Sequence, residues 1–405
     1  MSKIERVQPD LKFVQKIVDN GGGSVKRCFQ CATCSVVCTL SPKDKPFPRK
    51  EMLWAQWGLK DRLIGDPDIW LCHHCGDCTV HCPRGAKPGE TLQAVRASVI
   101  SELSFPKVLA EALNRPKLFP ALLLMPMLLL GVTMWEAGTL KAHPGPIVWG
   151  NLLPHSVFFE GMFMLLMGWS VIAGGVGVYR QWSHMKRMYP PAADAKTLPV
   201  GAALVQALKE LTLHSRFKSC GQNNARAYAH MLTIFGFVAA MVTAGGAAIL
   251  EKAFHIPPPL PNPDVVPWAY WAGVFFKVLG ILGAVGLLGG SAWLINRRMT
   301  NQDEVGDSSF FDWAFLGVLF ATGLTGSLTY LVRLSDNAAL AYPVYFVHLS
   351  LVAFLLSTIA YTKFAHVFYR TAAMTYALHI GRTVEEVCPA LPAPPTRQAL
   401  PQHIS

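Results

Sequence analysis

Residues 27–38 read Arg27-Cys-Phe-Gln-Cys-Ala-Thr-Cys-Ser-Val-Val-Cys38, and residues 72–83 read Cys72-His-His-Cys-Gly-Asp-Cys-Thr-Val-His-Cys-Pro83. Each stretch has four cysteines separated by two, two and three residues, which is the pattern of two-cluster ferredoxins. Three thiolates at this spacing can wrap one face of an iron–sulfur cube, while the fourth points away and ligates the other cube. The two stretches therefore predict two [4Fe–4S] clusters.

This crossing of the fourth ligand predicts which cysteines hold which cluster. The first cluster is expected on Cys28, Cys31, Cys34 and Cys82, and the second on Cys72, Cys75, Cys78 and Cys38. The alternative is a pair of zinc sites, because four thiolates also suit tetrahedral zinc, but zinc motifs usually pair two cysteines with a more distant second pair.

The setting of the cysteines favours metal ligation over disulfides. Eight of the ten cysteines fall within residues 28–82, and the first 30 residues show no signal-peptide pattern, so a reducing compartment is expected. Cys220 and Cys388 have no such neighbours, and we expect them to have no special role.

The rest of the chain has the composition of a membrane protein. The 405 residues are 52% hydrophobic and only 15% charged, which is unlike an ordinary soluble domain. Six apolar segments are predicted, at residues 118–134, 155–179, 228–250, 267–295, 309–332 and 343–369. All but the first, which contains Pro120 and Pro126, reach the ~20 residues needed to cross a bilayer.

These observations predict an all-α fold in three parts. Residues 1–105 form a helical ferredoxin-like domain with two clusters, residues 106–370 a six-helix transmembrane bundle of the cytochrome b type, and residues 371–405 a proline-rich tail.

The basic residues predict the orientation. Residues 180–227 carry eight Lys or Arg residues, whereas residues 135–154, 251–266 and 333–342 carry one each. The positive-inside rule then places 180–227, both termini and the cysteine domain in the cytoplasm, with the bundle in the inner membrane. Because the basic residues lie in connecting segments rather than in one stripe, the net charge of +11 does not indicate nucleic-acid binding.

Four histidines lie in or at the ends of apolar segments, where ionisable residues are by default functional. His348 and His366 are 18 residues apart on one predicted helix, which is five turns, so they share a face at different depths. Pairing by depth predicts two b haems, an outer one on His155 and His348 and an inner one on His230 and His366. The alternative for each is a histidine that is hydrogen-bonded at the membrane surface.

Two charged residues fall in the outer half of the predicted bundle. Glu160 lies five residues beyond His155, and Lys277 lies about ten residues into the fourth segment. Quinone takes up or releases protons together with electrons, so these side chains are candidates for a quinone site with quinone as the substrate. The alternative is a structural ion pair, or Lys277 bound to a haem propionate.

The amino-acid sequence around the cysteines resembles one protein family. Three stretches resemble the membrane component, the C subunit, of the quinone-modifying oxidoreductase (Qmo). They are residues 27–38, quoted above, residues 46–63 (Pro46-Phe-Pro-Arg-Lys-Glu-Met-Leu-Trp-Ala-Gln-Trp-Gly-Leu-Lys-Asp-Arg-Leu63) and residues 81–89 (His81-Cys-Pro-Arg-Gly-Ala-Lys-Pro-Gly89). That family looks like a fusion of the C and E subunits of heterodisulfide reductase. The spacing of His348 and His366 also resembles the last helix of the nitrate reductase gamma subunit.

The resemblance implies partners and a pathway. It implies a complex with the flavin-containing A and B subunits of Qmo, and electron exchange with adenylylsulfate reductase in sulfur metabolism. Trp54 and Trp57, beside Arg49, Lys50, Lys60 and Arg62, are candidates for the docking surface or for the core of the small domain. The glycine runs at 21–24 and 174–177 follow no strand, so flavin is expected on a partner.

The sequence thus favours an electron-transfer subunit of a quinone-linked oxidoreductase. A membrane subunit of the heterodisulfide reductase type and a non-enzymatic membrane anchor with structural metal sites are the alternatives.

Overall fold

A computed structural model describes residues 7–42, 45–141, 147–152, 157–191, 197–213, 224–256, 265–300 and 308–382. Within these ranges the regular secondary structure is helical and contains no strand, which confirms the all-α prediction. The helices are α1 (Leu11–Ile17), α2 (Thr33–Val36), α3 (Arg49–Gln56), α4 (Lys60–Ile64), α5 (Asp68–Leu71), α6 (Asp77–Val80), α7 (Pro88–Leu103), α8 (Lys107–Leu113), α9 (Phe119–Glu136), α10 (Trp149–Leu152), α11 (Val157–Met188), α12 (Val200–Leu213), α13 (Asn224–Phe254), α14 (Pro267–Thr300), α15 (Phe310–Leu334), α16 (Ala338–Thr358) and α17 (His366–His379).

Among the described residues, six helices are long and apolar enough to cross a membrane, as the sequence predicted. The spans are Phe119–Glu136, Gly161–Met188, Ala225–Phe254, Pro267–Thr300, Phe310–Leu334 and Ala338–Thr358. The first has only 18 residues and contains Pro126 in its interior. Several helices extend beyond the predicted segments, because their charged ends remain helical outside the apolar run.

The prediction of one helix over residues 343–369 is wrong. Helix α16 ends at Thr358, and α17 begins only at His366, after a 3₁₀ turn at Lys363–Ala365. Two polar side chains hold the break in place. The hydroxyl of Tyr361 donates to the carbonyl oxygen of Phe105 at 2.6 Å, and Lys363 forms a buried ion pair with Asp312 at the start of α15. These side-chain contacts fix the position of the break, while its backbone groups bond locally, as the N–H of Ala365 does to the carbonyl of Thr362 at 3.0 Å.

The helices before Leu103 form a small domain around α7. Pro88 starts α7 at a position where its missing N–H costs nothing. The domain packs on one end of the bundle, and we refer to that end as the cluster end. The two parts share one hydrophobic core, in which Trp70 of α5 lies 5.2 Å from Tyr369 of α17 between ring centroids.

The long helices alternate in direction. Helices α9, α13 and α15 start at the cluster end, and α11, α14 and α16 return to it, so the described chain begins and ends on the same side of the bundle. Helices α13 and α14 pack closely at Gly236, where an added Cβ would overlap the backbone nitrogen of Leu287. Small residues permit such close packing between membrane helices.

Candidate redox centres

The first predicted set of cysteines lies around one cavity. Cys28, Cys31, Cys34 and Cys82 all line it, although Cys82 is far from the other three in the sequence. Cys34 is buried, whereas Cys31 is exposed. Burial, followed by the charge of neighbouring Cys28, raises the pKa of the Cys34 thiol to about 11. Four thiols that crowd each other in this way suit a cation that converts them to thiolates.

The second predicted set lies next to the first. Burial, followed by the charges of Cys72 and Cys38, raises the pKa of Cys78 well above its usual value. The guanidinium of Arg226 interacts electrostatically with Cys75 and Cys72. Cys38 and Cys34, both from the first motif, are thus close enough to Cys78 to affect its pKa, and the crossed assignment of Cys38 stays a prediction.

Both cysteine loops have the same backbone turn. The residues two and four positions after the first cysteine are left-handed in each loop: Gln30 and Ala32 in the first, His74 and Gly76 in the second. Alternation of right- and left-handed residues turns successive N–H groups toward one point, which is how backbone nests hold iron–sulfur clusters. The backbone N–H of His74 donates to the sulfur of Cys72 at 3.3 Å.

Three arginines hold the second loop, one from the small domain and two from the bundle. Arg96 of α7 donates to the carbonyl of Cys72 at 2.8 Å, and Arg370 of α17 donates to the same oxygen at 3.1 Å. Arg226 of α13 donates to the carbonyls of His73, at 2.6 Å, and His74. Hydrogen bonds from charged donors are about twice as strong as neutral ones. Sequence reasoning missed this role and counted Arg226 only as a loop cation, because an arginine that binds backbone carbonyls leaves no spacing pattern.

His230 and His366 face each other beside this loop. Their ring centroids are 6.4 Å apart, with an angle of 55° between the ring planes. Two imidazoles that bind one metal from opposite sides have their nitrogens about 4 Å apart, and the radius of each ring brings the centroids close to the observed separation. The Nδ1–H of His366 donates to the carbonyl of Lys363 at 2.6 Å, which leaves Nε2 as the ligand atom. The donor set therefore fits a haem iron.

His348 lies at the middle of α16, ten residues from either end, rather than near the end of a helix shared with His366. Its Nδ1 lies 3.2 Å from the Thr325 hydroxyl oxygen, and that hydroxyl donates to the Ala321 carbonyl at 2.8 Å. Gly326 faces the ring, where an added Cβ would lie 2.9 Å from Cε1. A half-buried imidazole whose Nδ1 is hydrogen-bonded also suits a haem ligand through its Nε2.

The remaining predicted bundle residues are placed only in part. His155 and the side chain of Glu160 lie outside the described residues, as do Cys220 and Cys388. Lys277 is exposed on the outer face of α14. The outer haem pair and the quinone site at Glu160 and Lys277 therefore stay predictions.

The structure separates the residues of the predicted docking surface. Trp57 is 54% exposed, whereas Trp54 packs against the core beneath the ammonium of Lys50. The Lys50 side chain is only 13% exposed, with its ammonium within 3.0 Å of Glu51, Asp66 and Asp68. Arg382, beyond α17, binds Asp68 at 2.5 Å. Lys50 therefore belongs to a buried ion network and not to a docking surface, since three carboxylates draw it inward.

Comparison with known proteins agrees with the cysteine pattern. Residues 24–86 match the family of 4Fe-4S dicluster domains. The C subunit of the H(2):CoB-CoM heterodisulfide,ferredoxin reductase of Methanothermobacter marburgensis is 37% identical over 87 residues, which are 22% of this chain and 47% of that protein. A protein of Archaeoglobus profundus that is similar to the C subunit of heterodisulfide reductase is 28% identical over 28% of this chain and 61% of its own length.

A third relative spans both parts of the chain. Citrate utilization protein B of Escherichia coli is 26% identical over 92% of this chain and 95% of its own length. No solved structure matches the chain. The chain therefore contains a domain for two [4Fe–4S] clusters and is homologous to proteins of the heterodisulfide reductase C type, although it spans only about half the length of those relatives.

Proposed function

We propose that this chain is the membrane electron-transfer subunit of a quinone-modifying oxidoreductase complex. It relays electrons between membrane quinone, two b haems, two [4Fe–4S] clusters and cytoplasmic flavin subunits of the Qmo A and B type, which exchange electrons with adenylylsulfate reductase. Homology to oxidoreductase subunits supports the electron-transfer role. The six apolar helices support a multi-pass membrane protein, and the basic loops support an inner-membrane location with the clusters in the cytoplasm.

The facing pair of His230 and His366 carries the proposal. Both histidines lie at the cluster end of the bundle, where arginines from the same two helices, Arg226 of α13 and Arg370 of α17, also bind the loop of the second cluster. A b haem held by these two histidines would supply one-electron transfer inside the bilayer. The chain itself fixes the distance and orientation between this position and the second cluster, because each helix that carries a histidine also holds the cysteine loop.

The first cluster site is suited to exchange with a soluble partner. Cys31 is exposed there, as are the apolar side chains of Phe29 (67%) and Val36 (83%). Arg84 lies over the Phe29 ring at 4.1 Å, and Arg49 also lines the cavity. An apolar centre with a basic rim fits a partner whose redox centre lies within an acidic surface.

The experiment that tests the proposal is a histidine series in membranes that contain the full chain. Dithionite-reduced minus oxidised spectra should show b-type bands that titrate as two components. His230→Ala and His366→Ala should each remove the same component, and His348→Ala should remove the other. His379→Ala is the control, because that histidine bonds to the Leu198 carbonyl outside the six spans and should change neither.

Two results would overturn the proposal. A parent protein without haem bands would favour a membrane anchor with structural metal sites. Haem bands that heterodisulfide oxidises and quinone does not would favour the heterodisulfide reductase type, to which the 37% identity in the cysteine domain also points.

A further inference from the structure

An aromatic cleft lies at the cluster end of the bundle, between α8, α9, α15 and α16. Its walls are mainly the side chains of Phe119, Phe311, Phe315 and Phe354, with Ala314 on α15 between them. Phe119 meets Phe354 edge to face, at 5.7 Å between centroids. The cleft lies where three membrane helices begin or end, and so at the border between lipid hydrocarbon and headgroups.

One polar group in this apolar cleft has no partner. The hydroxyl of Thr362, which lines the cleft, is buried and forms no hydrogen bond with the residues that the structure describes. The side chain is 9% exposed. By contrast, the hydroxyl of Thr358, also in the cleft, donates to the carbonyl of Phe354 at 2.7 Å. A buried hydroxyl without a partner costs free energy, so Thr362 indicates a ligand that accepts a hydrogen bond.

The cleft is connected to the histidine pair through the break between α16 and α17. Thr362 directly precedes Lys363, whose carbonyl accepts the hydrogen bond from His366. The ring of Phe315 lies 6.1 Å from that of Phe364, which in turn lies 5.1 Å from Phe237 on α13. Phe237 follows His230 by seven residues, about two turns on the same helix face. Aromatic rings in contact thus join the cleft to α13, which carries His230, and to the turn that directly precedes His366.

We infer that this cleft binds the ring of a membrane quinone, with the Thr362 hydroxyl donating to one ring oxygen. The inference rests on the proposed exchange of electrons with quinone and locates it. A quinone is flat and apolar with two hydrogen-bond acceptors, and apolar walls with one or two placed polar groups are typical of small-molecule sites. Edge-to-face and stacked contacts with the four phenylalanines would hold the ring.

The test measures binding without turnover. Membranes with the full chain are titrated with heptyl-hydroxyquinoline N-oxide, a fluorescent quinol analogue whose emission is quenched when it binds. Thr362→Val keeps the shape and removes the hydroxyl, so the dissociation constant should rise about threefold to tenfold, the effect of one neutral hydrogen bond. Thr362→Ser keeps the hydroxyl and should bind within about twofold of the parent, and Ala314→Phe should fill the cleft and abolish quenching.

The control is Thr375→Val, since the hydroxyl of that buried threonine bonds within α17 to the Thr371 carbonyl. Failure of the parent to bind the analogue would overturn quinone exchange as a whole. A different outcome is that Thr362→Val and Ala314→Phe bind the analogue like the parent, whereas Glu160→Gln or Lys277→Met loses binding. That outcome would overturn this inference, leave quinone exchange intact and place the quinone site at the opposite end of the bundle. Copurification of a phospholipid in the cleft that the analogue cannot displace would also overturn the inference.

Discussion

Replacement of Lys50 by methionine is expected to destabilise the cluster domain severely. The ammonium lies 2.6 Å from Glu51, 3.0 Å from Asp66 and 2.5 Å from Asp68. Burial, followed by the charge of Asp66, raises the pKa of Glu51 well above its usual value. Two cations, Lys50 and Arg382, bind this cluster of buried carboxyl groups.

The buried charges around Lys50 determine how much stability the replacement should cost. Lys50→Met keeps most of the side-chain volume but leaves a buried carboxylate without its counter-ion, which typically costs about 3–5 kcal/mol. Domains are stable by only about 5–15 kcal/mol, so the loss is about a fifth of the total or more. The matched control is Lys60→Met, because Lys60 pairs only with Asp10 and both side chains are 33% exposed. Such a pair contributes about 0–1 kcal/mol.

The assay is urea titration of the detergent-solubilised chain, followed by bleaching of the visible cluster absorbance. Lys50→Met should bleach at a much lower urea concentration than Lys60→Met, and Lys50→Met combined with Asp66→Asn should regain part of the loss, because the second change removes the unpaired charge. Equal midpoints for the two single variants would show that Lys50 does not balance buried charge and would refute this reasoning.

Three further outcomes are expected. In paramagnetic resonance, Cys82→Ser should alter the cluster held by the first motif, and loss of the same signal as in Cys75→Ser would contradict the crossed ligation. Burial raises the pKa of Glu102, but hydrogen bonds from Lys107 and Lys16 outweigh it and hold that pKa below its usual value. The stability that Glu102 contributes is therefore present above its usual pKa and is lost as the pH falls through the lowered pKa. Glu102→Gln should flatten the fall of the unfolding midpoint at acid pH, and an unchanged fall would contradict this reasoning. Arg84→Glu should weaken the retention of soluble partner subunits by about tenfold at low salt, measured by copurification. Lys12→Glu on α1 is the control and should retain them. Equal retention by the two variants would show that Arg84 is not part of the docking surface.

The parts of this fold that depend on period and spacing could be predicted from the sequence. The crossed positions of Cys38 and Cys82 follow from cluster geometry, and the six spans follow from runs of apolar residues. The break between Thr358 and His366 could not be predicted, because the run remains apolar enough for a helix and the cause is contact with Phe105 and Asp312, which are distant in the sequence.

The geometry of the candidate redox centres likewise could not be predicted from the sequence alone. The histidines could be chosen by their position in apolar segments, but which of them face each other depends on how α17 turns after the break. The arginines that hold the cysteine loop bind backbone carbonyls, and a carbonyl has no residue identity that a sequence pattern could reveal. The inward position of Lys50 depends on three carboxylates that meet only in the folded chain.

The shared core between the small domain and the cluster end of the bundle has a consequence for assembly. Contacts such as the Trp70–Tyr369 ring pair and the bonds from Arg226 and Arg370 to carbonyls of the cysteine loop have the chemistry of an interface between separate proteins, yet here they lie within one polypeptide. Covalent connection sets the effective concentration of the two surfaces, so their association does not vary with the amount of protein made. Dilution that would separate two independent chains leaves this junction closed, and the distance between the cysteine loop and the facing histidines stays constant at any expression level.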